Sequence, residues 1–121
     1  VIATGVNLVT STNDPVAHDE ILAIRDACKI LDDFQLTGCT LYASCEPCPM
    51  CLGAIYWARL DRVFYAATRD EAGRAGFDDA LIYEEINTSP PMRAIPMRSL
   101  MHDEAQPVFD AWLRQEDRIE Y

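Results

Sequence analysis

Two short stretches hold the residue types of a hydrolytic metal centre: His18-Asp19-Glu20 and, 27 residues further on, Pro47-Cys48-Pro49-Met50-Cys51. One imidazole and two thiolates give a Zn²⁺ three protein ligands and leave the fourth tetrahedral position open to water. A structural zinc site would need a fourth protein ligand. His18, Cys48 and Cys51 are therefore the metal-ligand candidates. Two thiolates neutralise the ion's charge, and a neutral imidazole adds none. Glu20, two residues from His18, is the catalytic candidate. A carboxylate there can move protons beside the metal without binding it.

The elements that must position these groups follow from local pattern. Val1 to Thr10 alternates weakly and predicts a strand ending near Asn7 or Leu8. Asp14-Pro15 predicts a helix start, with Ile21, Ile24, Cys28 and Leu31 giving one buried face up to about Asp33. Cys39 to Ala43 reads as a short buried strand. Prolines on both sides of Cys48 suit the first turn of a second helix, which runs to about Ala58. This puts His18, Cys48 and Cys51 in first turns, where the positive end of the helix dipole favours thiolate. Arg62 to Thr68 is a further strand. A short helix follows around Asp79 to Ile86, then a strand over Arg93 to Leu100 and an amphipathic helix over Ala105 to Arg118. Strands alternating with helices predict an α/β layered fold, and residues 1–121 read as a single domain.

Composition narrows the class. The net charge is −10, with 10 basic against 20 acidic residues, which argues against a nucleic-acid partner on electrostatic grounds. Arg59, Arg62, Arg69 and Arg74 come nearest to a basic patch. No apolar run approaches a membrane span. Five cysteines, two of them in a C-x-x-C pair, fit a reducing cytoplasm better than a disulfide framework. Cys28 and Cys39 read as buried apolar residues, and Cys45 as a residue beneath the site. The first residue is valine, which leaves room for processing or for a missing N-terminal piece.

The join of H-x-E with a downstream P-C-x-x-C matches the signature of zinc deaminases. The chain resembles the cytidine/deoxycytidylate deaminase superfamily at these motifs. Over Thr40 to Arg59, Asp14 to His18, Ala75-Gly76-Phe77-Asp78-Asp79 and the closing Ile119-Glu120-Tyr121 it is most similar to the bacterial guanine deaminases. That resemblance implies a three-layer α/β/α sandwich around a mixed, nominally five-stranded sheet, whose N-terminal helix and strand precede the equivalent of Val1. It implies one Zn²⁺ per subunit, a homodimer, and hydrolysis of guanine to xanthine and ammonia in purine metabolism. Carried over by position, Asn7 hydrogen-bonds the purine, the Asp19 amide faces the substrate, and the Ser44 carbonyl receives the leaving amine. Asp79, with Asp78 second, is the candidate acceptor for an amine donor; a helix-capping aspartate is the competing reading. Tyr121 reads either as a site residue brought in by the C-terminal helix or as a frayed terminus, and Trp57 as core or as a stacking surface. Asp19 itself departs from the alanine usual in the family.

Three other readings stay open on sequence: a tRNA adenosine deaminase, a deaminase of cytosine or deoxycytidylate, and a catalytically silent zinc scaffold.

Overall fold

His18 and Cys48 are both extended residues that immediately precede a helix, and this shared role organises the part of the chain that matters for chemistry. A computed structural model describes residues 1–121. Helix α1 (Val9–Thr12) is a single turn closed by Asn13 in the left-handed region. Helix α2 (Asp19–Leu31) opens with Asp19 and Glu20 and carries Lys29 in its last turn, both favourable to the helix dipole. Its buried face holds Glu20, Ile21 and Ala27.

Strand β1 (Thr40–Cys45) and strand β2 (Arg62–Ala67) are parallel, in register from Thr40 opposite Arg62 to Cys45 opposite Ala67. Parallel neighbours need a crossover, and helix α3 (Pro49–Trp57) supplies it. Pro49 at its start needs no amide partner. Cys51 and Ile55, one turn apart, are buried, and α3 packs against α2. The cross-strand pair Tyr42 and Phe64 stacks with ring centroids 5.3 Å apart. Ala27, Leu36 and Ala58 form a small core, with Ile24, Cys28, Cys39 and Leu60 packed around it. The connection into β1 is tied down by Leu36 N–H to the Ala58 carbonyl at 2.7 Å and Gly38 N–H to Asp61 at 2.9 Å. Gly38 has φ +82°, a conformation that favours glycine.

Helix α4 (Arg69–Arg74) is set by a capping box between Thr68 and Glu71. Helix α5 (Ala80–Asn87) follows, then a 3₁₀ turn (Pro90–Met92) and helix α6 (His102–Leu113). The chain divides into two compact units, Val1–Tyr83 and Glu84–Tyr121. In the second unit the Ala94 amide donates to Glu85 at 2.8 Å, the Arg93 Nε donates to the Thr88 carbonyl at 3.0 Å, and no residue is buried.

The α/β class expected from the sequence is what the structure has, with a sheet of two strands where the resemblance implies nominally five. Val1 to Leu8 forms no strand, because no neighbour supplies a ladder; Leu8 N–H bonds instead to the Ala17 carbonyl at 3.0 Å. Arg93 to Leu100 forms none either: Pro96 offers no amide donor, and Met97 N–H turns back to the Pro90 carbonyl. Asp14 caps a turn, its carboxylate accepting from Val16 N–H at 3.0 Å, so α2 starts four residues later than expected. Thus His18 and Cys48 cap their helices rather than lie within the first turns. Helix α4 was not expected, and α6 begins three residues earlier than predicted, after Met101 in the left-handed region.

Candidate metal centre and its cavity

The extended backbone of His18 (φ −72°, ψ 152°) and Cys48 (φ −63°, ψ 166°) sets their side chains at the mouths of α2 and α3. One turn into α3, Cys51 is fully buried. His18 Nδ1 lies 3.7 Å from Cys48 Sγ and 3.6 Å from Cys51 Sγ, and the three ligand atoms all fall within 4.8 Å of one another. Zn–S and Zn–N bonds of ordinary length at a tetrahedral angle require an S···N edge of about 3.6 Å. The donor set therefore fits Zn²⁺ in both chemistry and spacing. Cys45 lies outside it; its thiol donates to the Thr68 carbonyl at 3.8 Å.

Glu20 is 7% exposed, and its Oε2 accepts from Cys51 Sγ at 3.2 Å. Burial pushes the Glu20 carboxyl above its ordinary range, and the negative charge of Asp19 adds to this; hydrogen bonds from its own backbone amide and from Cys51 act the other way. The thiols are split. The hydrogen bond from Cys51, together with backbone amides of α3 and the nearby His18, brings Cys48 down to about 5, while that same bond and burial push Cys51 up. A metal that took both as thiolates would displace the proton of Cys51.

These groups open onto a cavity of about 920 Å³. Asn7, Asp19, Ser44, Asp78 and Asp79 line it, together with His18, Glu20 and Cys48. Asn7 Oδ1 accepts the Val9 amide at 3.1 Å, which leaves its Nδ2 as the group available to a ligand. Asp78 caps α5 by accepting from Ala80 N–H at 2.9 Å. Asp79 is close enough to Cys45 to act on its thiol electrostatically, as are Glu20 and Glu46. Trp57 is 60% exposed, so the core reading does not describe it, and it is not among the residues that line this cavity. Tyr121 lies in the second unit and is exposed.

Sequence reasoning passed over Gly5, Glu46 and Arg69 as site residues. Gly5 lines the same cavity, and a Cβ there would collide with the Asp19 carbonyl oxygen and lie 2.9 Å from the Ala23 nitrogen. The glycine is needed for close approach to the first turn of α2. Glu46 Oε2 accepts the Arg69 amide at 3.1 Å, tying the loop before Cys48 to the start of α4. Its place beside Pro47-Cys48 was the one available signal.

Residues 1–67 match the family model of the cytidine and deoxycytidylate deaminase zinc-binding region. The chain is 53% identical over 121 residues to the guanine deaminase of Bacillus subtilis strain 168, covering 100% of this chain and 78% of that protein. It is 40% identical over 85 residues to the tRNA-specific adenosine deaminase of the same organism, covering 70% of this chain and 53% of that protein. The X-ray structure of guanine deaminase from Bacillus subtilis superimposes with a TM-score of 0.94 at 52% identity, covering 100% of this chain and 77% of that one.

Proposed function

Since the chain belongs to the cytidine and deoxycytidylate deaminase family, we propose that it catalyses the zinc-dependent hydrolytic deamination of guanine to xanthine and ammonia. The observation that carries this reading is the buried Glu20 carboxylate 3.2 Å from Cys51 Sγ, within a chain similar over its whole length to a guanine deaminase.

In this reading His18 Nδ1, Cys48 Sγ and Cys51 Sγ would hold the Zn²⁺. When bound, the ion supplies a Lewis acid that makes a water nucleophilic near neutral pH. Glu20 accepts a proton from the water that attacks C2 of guanine and delivers it to an adjoining ring nitrogen. It then takes the proton of the hydroxyl now on C2 and passes it to the exocyclic amine; the C–N bond breaks, the C2 carbonyl forms, and ammonia leaves. Its raised affinity for protons suits a group that must both take and give. Asn7 Nδ2 and the Asp19 amide position the base, and the Ser44 carbonyl receives the departing amine. Asp79 accepts from donors of the purine, with Asp78 anchoring α5 beside it. A role for Tyr121 in closing the site belongs to the same proposal.

Residues 1–121 act as one catalytic domain in this reading. A homodimer is supported by the exposed apolar residues Val108, Phe109 and Leu113 on α6. Five free cysteines support a reducing, cytoplasmic setting, and a part in purine metabolism follows from the reaction. The net charge of −10 speaks against RNA as substrate. No helix is long and apolar enough to cross a membrane.

The test is an ammonia-release screen of the zinc-loaded protein over guanine, adenine, cytosine, their nucleosides and a tRNA anticodon stem-loop. Release from guanine alone is expected. A folded, zinc-loaded protein that turns over cytosine or the stem-loop and leaves guanine untouched would overturn the reading.

A further inference from the structure

We propose that Arg69 is a specificity-determining residue that reads the carbonyl side of the purine. The proposal rests on the guanine reading above and assigns a recognition role within it.

Of the ten lysines and arginines in the chain, Arg69 is the one that lines the cavity of the metal centre. The other charged side chains there are Asp19, Glu20, Glu46, Asp78 and Asp79. Arg69 is pinned at two points. Its amide donates to Glu46 Oε2 at 3.1 Å, and its guanidinium carbon lies 4.6 Å from the centre of the Tyr83 ring. A cation–π contact at that distance engages the ring face and does not occupy all five N–H donors of a guanidinium. The ion pairs of the structure are Lys29–Asp26 at 3.0 Å and Arg118–Glu120 at 3.2 Å, and neither involves Arg69. A cation among five carboxylates has thus been held on an aromatic ring instead of being neutralised by one of them.

A neutral base is recognised by its pattern of donors and acceptors. When C2 and its amine face Glu20, the acceptors O6 and N7 lie on the other side of the ring. These two atoms form the pair that arginine meets with two parallel hydrogen bonds when it reads guanine in DNA. The carboxylates then serve the donor edge of the base, and Arg69 serves the acceptor edge. A purine with an amino group at position 6 would set donor against donor there, which costs more than a merely missing contact.

The test compares wild type with Arg69→Met, which keeps an apolar stem and removes the donors. Two quantities are read: kcat/KM for guanine, and the competitive inhibition constant of 2,6-diaminopurine, which carries an amino group in place of O6 and an N1 without hydrogen; the N1 difference is common to wild type and variant. The guanine value should fall by about 5- to 150-fold, mostly through KM. Binding of 2,6-diaminopurine should stay within about twofold or improve, the scale being set by the loss of one donor clash. Zinc per chain and Tm are measured in parallel. Equal weakening of both ligands, or no change in either, would overturn the role of Arg69. A wild type that does not act on guanine would instead overturn the function proposed above, and the two failures are told apart before any variant is made.

Discussion

Glu20 is buried at the metal-ligand triad, and Gly5 packs against the backbone of Asp19 and Ala23 on the same helix, where there is no room for a side chain. The two define predictions at the scale of single residues. Gly5→Ala must push the N-terminal segment away from the first turn of α2, because the obstacle is backbone and cannot rotate aside. Overpacking of this kind costs about 1–3 kcal/mol. Asn7, two residues on, should move with the segment, so KM for guanine should rise while zinc content stays at one per chain. Thermal unfolding, steady-state kinetics and metal analysis check the three parts. Cys51→Ala removes a buried ligand from the triad; it should lower zinc occupancy in a competitive chelator titration, whereas Cys45→Ala should leave occupancy unchanged. The ligand candidates were legible in the sequence because spacing alone brings H-x-E and C-x-x-C into view, and the three atoms do meet within 4.8 Å. Arg69 was visible only as part of a loose basic cluster, since a motif does not show which side chains share a cavity.

At the scale of elements, the start of α4 is the most testable device. Thr68 N–H donates to Glu71 Oε2 at 2.8 Å, and Thr68 Oγ1 accepts from Glu71 N–H at 3.4 Å. Thr68→Ala should destabilise by about 1 kcal/mol in denaturant unfolding. The Thr68 amide and hydroxyl hold the Glu71 carboxyl below its ordinary value. A carboxyl with a depressed folded pKa stabilises above the unfolded value, and that contribution is lost as pH falls through the folded one. The stability gap between wild type and Glu71→Gln should therefore be present at neutral pH and close below the ordinary glutamate value of about 4.3. The helices α2, α3, α5 and α6 and both strands of the sheet were legible, because their apolar spacing or their caps are local. The expected strands at Val1 to Leu8 and Arg93 to Leu100 were not realised, because a strand exists only with a partner and no local pattern supplies one. The start of α2 was misjudged because Asp14-Pro15 serves a turn as well as it serves a helix.

At the scale of the whole molecule, apolar surface and charge pull in different directions. The unit Glu84–Tyr121 buries none of its residues, and Phe109, Leu113 and Ile119 are among those exposed. Sedimentation should give twice the mass of the chain if the proposed homodimer covers such surface, and a monomer at micromolar concentration would count against it. The charge of −10 predicts no retention of a tRNA stem-loop at low salt. The most direct test of the central claim follows xanthine formation from guanine by wild type and Glu20→Gln at equal zinc content. Wild type should form xanthine and release one ammonia per turnover. The variant should keep its zinc and lose at least about 100-fold in kcat, the lower end of what a positioned acid/base group contributes. A variant that keeps its turnover, or a zinc-loaded wild type that leaves guanine unchanged, would contradict the account.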